Sequence, residues 1–173
     1  MPLVRDFRNY SYKSVRIDRC GRHIGSELYW KLYAIENTVR IVIHSVLTAQ
    51  VGTDWWSEAV GVESTMAKNA SKARARYAAK PQNANPGLSD IHLVTLKELT
   101  EILRVNSHLV IRVVPDVSDW IATLESIRVP RNLVGHMNFP NAFDRMAIDS
   151  AYSQLATLLG HLSTNRVPVL VPK

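Results

Sequence analysis

One apolar stripe constrains the fold more than anything else in the chain. Leu28, Leu32, Ile35, Val39, Val42 and Val46 recur at steps of three and four, the spacing of one helix face. A strand throws successive side chains to opposite faces, so this spacing cannot line one side of a sheet. Ser26 followed by Glu27 predicts the start, with a capping hydroxyl and an acid against the helix dipole. The helix is expected to run to about Val51. A helix that long must bury its stripe against other helices, and no other stretch alternates like a strand over a useful length. The expected fold is therefore all-α, an antiparallel bundle of four to five helices over residues 26–164. Residues 1–25 are expected to form an N-terminal arm or lid, and residues 165–173 an extended tail.

Beside the apolar stripe runs a mixed one, Tyr29, Tyr33, Glu36, Arg40, Ile43 and Leu47. Glu36 and Arg40 are four apart in the favourable order for an ion pair, with Asn37 next to them. The pair either holds the bundle together or lets Glu36 orient a group from a second helix. In the arm, Val15-Arg16-Ile17 suggests a short edge strand or extended segment, and Cys20-Gly21 and Gly25 read as turns. This basic arm either packs on the body or touches phosphate.

Downstream, Gly52-Thr53 breaks the pattern, and Thr53 is expected to cap a helix at Asp54-Trp55-Trp56. Of the two tryptophans, one is expected in the core and the other over a neighbour. Residues 63–80 are alanine-rich and basic. Lys68, Lys72, Arg76 and Lys80 repeat every four residues, with Arg74 to the side. Their repulsion would be relieved by a phosphate backbone, or the stripe is simply a solvated face. Residues 81–89 read as a loop. A helix is expected from Ser89 or Asp90, carrying Leu93, Leu96, Leu99 and Leu103. Residues 106–115 fit a buried turn or a short strand. Asp116 is expected to cap a helix that ends at Val129, because Pro130 disfavours helical geometry at and before itself. The last helix places Phe143, Ala147, Ala151, Leu155, Leu158 and Leu162 on one face, weakened at Gly160.

The 46% apolar and 21% charged content is that of an ordinary globular chain. One cysteine, Cys20, excludes an internal disulfide framework and a cysteine-rich zinc site. No apolar run reaches membrane length and residues 1–6 show no signal region, so a cytoplasmic protein is expected. A net charge of +6 and a pI near 9.7 favour an anionic partner, nucleic acid above all.

The chemistry concentrates in Arg131-Asn132-Leu133-Val134-Gly135-His136. There is no Gly-rich phosphate loop, no His-Glu-x-x-His and no Gly-x-Ser-x-Gly. The six histidines are scattered, so no metal or other cofactor is expected. A permanent cation and an imidazole suit metal-free cleavage of a phosphodiester. Arginine holds the phosphate oxygens and histidine moves the proton. Asn132 and His136 share a helix face, whereas Arg131 and His136 lie about 140° apart. A kink, the arginine's length or a second chain has to join them. The bland alternative is a helix junction with Arg131 on the preceding carbonyls.

These residues resemble the HEPN superfamily (higher eukaryotes and prokaryotes nucleotide-binding domains) over roughly residues 26–163. The resemblance rests on Arg131-Asn132 with His136 after a gap of four, the Leu32–Arg40 helix, Asp54-Trp55-Trp56 and the Leu96–Ile102 helix. It implies a homodimer in which two Arg–His motifs share a cleft and cut RNA without metal, in a toxin–antitoxin or abortive-infection setting. Arg131 and His136 would be catalytic and Asn132 supporting. Glu36, Asn37 and Arg40 are the candidate second-helix residues, and Lys68, Lys72, Arg76 and Lys80 the candidate RNA contacts. Some relatives carry a modifiable tyrosine two residues after the histidine, where this chain has Asn138. The competing class is a non-catalytic RNA- or protein-binding module on the same fold.

Overall fold

The computed structural model describes residues 6–82 and 84–173. Residues 1–5 of the expected arm, and Asn83, lie outside these. All the regular structure among the described residues is helical, as the spacing of apolar residues predicts.

The first helix begins well before Ser26. α1 (Ser14–Ile24) passes through a wider, π-type stretch, Gly25–Tyr29, directly into α2 (Trp30–Gln50). The strand or extended segment expected at Val15-Arg16-Ile17 is helical, and so are the turns expected at Cys20-Gly21 and Gly25. Ser26 lies inside the rod, where its hydroxyl donates to His23 O at 3.4 Å and caps nothing. The physical reason is that the apolar stripe continues backwards through Ile24 and Cys20. Cys20 and Leu28 are buried by it. Packing along one face outweighs the weak helix preference of Gly and Ser.

At Gly52 the backbone turns with φ +125°, a conformation that glycine adopts without strain, and the rod stops. Trp55 is buried, and its indole N–H donates to His44 Nδ1 at 3.0 Å. Trp56 is half-buried and meets Trp55 edge-on. Thr53 makes no cap; a second π-type stretch, Trp56–Gly61, follows Trp55. α3 (Thr65–Ala78) starts instead at Ser64, whose hydroxyl accepts from Ala67 N at 3.1 Å. Arg74 ties α3 down, donating to Asp90 Oδ1 and Leu88 O at 2.7 Å each and to Gly87 O at 3.0 Å.

The helix expected from Ser89 or Asp90 is two pieces. A tight turn, Asp90–Leu93, precedes α4 (Leu96–Val105), which starts at a Thr95–Glu98 capping box. Residues 106–115 take the buried-turn alternative. α5 (Ser107–Val110) is one turn long, and Val110, Val113 and Val114 are buried. α6 (Val117–Gly135) runs straight through the expected stop at Pro130. Ile127, Pro130 and Val134 are all buried on one face. That burial offsets the hydrogen bond Pro130 cannot donate to Ser126.

α7 (Ala142–Ser153) and α8 (Leu155–Thr164) divide the expected last helix at Gln154, while Gly160 leaves α8 intact. Phe143, expected on the core face, is 81% exposed. α2 lies at the centre against α4, α5, α7 and α8, and α6 packs on α4 and α7. After a turn at Asn165 and Arg166, residues 167–173 have no regular structure. They lie along the body, with Leu170 N donating to Ser45 Oγ at 2.8 Å and His92 Nε2 to Pro172 O at 3.0 Å. No helix among the described residues is long and apolar enough to cross a membrane.

Candidate functional site: an arginine-lined groove

The mixed stripe on α2 faces the last turn of α6 across an open groove of about 630 Å³. Glu36 joins the two walls. Its Oε1 accepts from Arg40 Nη2 at 2.7 Å and its Oε2 from Arg131 Nε at 3.2 Å. One carboxylate therefore pairs on its own helix and holds an arginine from a second. Arg40 is 8% exposed and also donates to Ile91 O and Val94 O, both at 3.1 Å, and to Asn37 Oδ1 at 3.4 Å. Arg40 is thus spent on structure. Two guanidiniums on one carboxylate leave a charge of +1, and Arg131, at the groove surface, is where that charge is available.

Arg131 is anchored through Nε, which keeps it from swinging into solvent. Among the described residues, neither of its Nη atoms has a hydrogen-bond partner. Its side chain runs along the helix so that Nη1 lies 3.5 Å from where a Cβ on Gly135 would stand. Arg131 therefore projects a donor fork towards the C-terminal end of α6.

His136 is the residue that ends α6. Its N–H donates to Asn132 O at 2.9 Å. Asn138 N donates to Leu133 O at 2.8 Å and Met137 N to Val134 O at 3.0 Å, the paired bonds of a Schellman motif. The residue that must turn left-handed there is Met137, with φ 59°, where glycine is usual. His136 is exposed, and no described residue hydrogen-bonds its ring. Asn138 follows in the cap. It accepts weakly from Arg8 Nη1 at 3.5 Å and donates to His136 O at 3.3 Å.

One chain does not bring the whole motif into one cavity. The α6 side of the groove is Arg131, Val134, Gly135 and Met137. Asn132 and His136 lie on the adjacent helix face, as their 3.6-residue phase requires. Pro130, which sits within the helix, is not a break that joins them. The expected basic stripe is exposed on α3, but Lys68 is paired with Glu63 at 3.1 Å. Lys72, Arg76 and Lys80 remain without a described partner.

Sequence reasoning missed three things here. Tyr77 and His92 line the groove, and nothing in their local pattern pointed to it. Tyr29 and Tyr33 belong to the mixed stripe, but their part in a cavity depended on what faced them. Met137 carried no signal, because a left-handed methionine is invisible in sequence. Among the described residues, no cluster of His, Cys, Asp or Glu is arranged to hold a metal ion. No protein-family model matches the chain, and no curated protein or solved structure matches it either.

Proposed function

We propose that the chain is a metal-independent endoribonuclease of HEPN type that acts as a homodimer. The observation that carries this is Arg131. Its fork is anchored by Glu36, unspent, and open to a groove at the end of the helix that also exposes a free imidazole. In the proposed reaction the RNA 2′-hydroxyl gives its proton to one imidazole and its oxygen bonds to phosphorus. The P–O5′ bond breaks, and the departing 5′-oxygen takes a proton from a second imidazole, leaving a 2′,3′-cyclic phosphate. Arg131 offsets the charge gathering on the non-bridging oxygens. Because His136 lies beside Arg131's groove rather than in it, the proton-transfer groups come from two copies meeting across a two-fold axis. Asn132 supports His136 on its own face. A toxin or abortive-infection role in the cytoplasm, with an antitoxin protein as partner, belongs to the same proposal.

The test is cleavage of RNA by the purified protein in EDTA, with analysis of the new ends. His136→Ala and Arg131→Ala are each expected to slow cleavage by about 10²–10⁴, without loss of folding. Cleavage by His136→Ala at the parent rate would refute the catalytic assignment. The position of Asn132 and His136 outside the groove favours a second reading, a non-catalytic RNA- or protein-binding module. RNA binding by a parent chain that cuts nothing would select it.

A further inference from the structure

The groove has a feature that cleavage chemistry does not use. Three of its lining residues are tyrosines, and all three are exposed: Tyr29 58%, Tyr33 65% and Tyr77 47%. Tyr29 and Tyr33 are four residues apart and share one side of the α2 rod. Tyr77 comes from α3 on a different wall. Among the described residues, these three exposed rings have no aromatic or cationic partner, so they leave apolar faces around one cavity in contact with water. Rings in this state suit a flat, partly apolar ligand that stacks. The groove also has the size of a small-molecule or nucleotide site. From Tyr77 and Pro86 it continues into a second hollow of about 240 Å³ along the end of α3. Arg76, and Lys80 just past the end of α3, are exposed and without a described partner but line neither hollow.

We infer that this groove binds single-stranded RNA, with unpaired bases stacked on Tyr29, Tyr33 and Tyr77 and an adjoining phosphate on Arg131. The inference rests on the ribonuclease reading for its choice of RNA. It adds to that reading a substrate requirement: the bases at the site must be unpaired. Duplex RNA keeps its base faces stacked on one another and cannot offer them to tyrosine rings. Charge alone would not discriminate in this way, because both forms present phosphates.

The test uses the full chain and a 2′-O-methyl hexanucleotide, which lacks the free 2′-hydroxyl needed for cleavage, with binding read by fluorescence anisotropy. Tyr33→Ala and Tyr77→Ala are each expected to weaken binding about tenfold, while Tyr33→Phe and Tyr77→Phe, which keep the ring, bind like the parent. The same sequence as a duplex is expected to bind at least tenfold more weakly than the single strand. Since both tyrosines are exposed, the thermal melts of the variants should match that of the parent. Equal binding by the alanine variants, or equal binding of duplex and single strand, would overturn the inference. Cleavage of unmodified RNA, followed in parallel, separates the two readings. An inert chain that holds the methylated strand through its tyrosines loses the ribonuclease and keeps the groove. An active chain indifferent to both alanine substitutions keeps the ribonuclease and loses the groove.

Discussion

Glu36 and Arg131 form one ion pair but occupy different positions in it, and their replacement separates structure from function. The Glu36 and Arg40 side chains are 13% and 10% exposed, whereas that of Arg131 is 35% exposed. Glu36→Ala strips a buried guanidinium of its charged partner and is expected to cost about 2–4 kcal/mol in urea unfolding. Arg131→Ala leaves no buried charge behind and should cost less than about 1 kcal/mol, while RNA cleavage collapses. An equal loss of stability in the two variants would mean Arg131 is also structural. His44 sets a pH dependence. Burial, and then the nearby His92, hold its imidazole below the ordinary value of 6.5. The Trp55 N–H that donates to its Nδ1 also requires that nitrogen to be unprotonated. A lowered folded value means that the unfolded chain binds more protons as pH falls. This contribution to stability is therefore complete above about pH 6.5 and is lost as pH drops through the folded value. Unfolding free energies measured between pH 5 and 8 should show that slope, and His44→Gln should flatten it.

At the scale of elements, the end of α6 is where sequence and structure differ most. Proline rules stop the helix at Val129, yet burial of Ile127, Pro130 and Val134 carries it to Gly135. The motif therefore sits on the last helical turn and its cap, which aims Arg131 into the groove and turns His136 out. The cap is strained. Met137 is left-handed and 80% exposed, so it bears the conformational cost without compensating burial. Met137→Gly is expected to stabilise the protein by roughly 0.5–1 kcal/mol in thermal or urea unfolding, the folded-state relief exceeding glycine's extra freedom when unfolded. Loss of stability would show that Met137 packs more than its exposure indicates. The α1–α2 rod makes the opposite point about legibility. Its signal was present in Cys20, Ile24 and Leu28, but Gly21, Gly25 and a plausible cap at Ser26 outweighed it locally.

For the whole molecule, the net charge of +6 matters only where cations remain free. Arg74 is committed to the loop before α4, Arg40 to the core, Lys68 to Glu63 and Arg104 to Glu101 and Glu125. Arg131 in the groove, and Lys72, Arg76 and Lys80 outside it, are cations left for a polyanion. Four phosphate contacts on a single strand imply a slope of about −3 in log affinity against log salt. Replacing Lys72, Arg76 and Lys80 together by glutamine should reduce its magnitude by about 2, whereas Lys68→Gln should leave it nearly unchanged. A slope unmoved by the triple substitution would place the RNA elsewhere.

The all-helical class, the long central helix, the burial of one of the two adjacent tryptophans and the pairing of Glu36 with Arg40 were determined by the sequence alone. Each depends on neighbours within one or two turns, and 3.6-residue periodicity encodes such neighbours directly. Tertiary structure decided the rest. Glu36 and Arg131 are 95 residues apart, and no local pattern states that two helices present them to each other. The same holds for Tyr77 opposite Tyr29 and Tyr33. The passage of α6 through Pro130 was decided by burial on a face that exists only once the bundle has formed. The chain thus wrote its helices locally, and the groove exists only because packing brought three of them together.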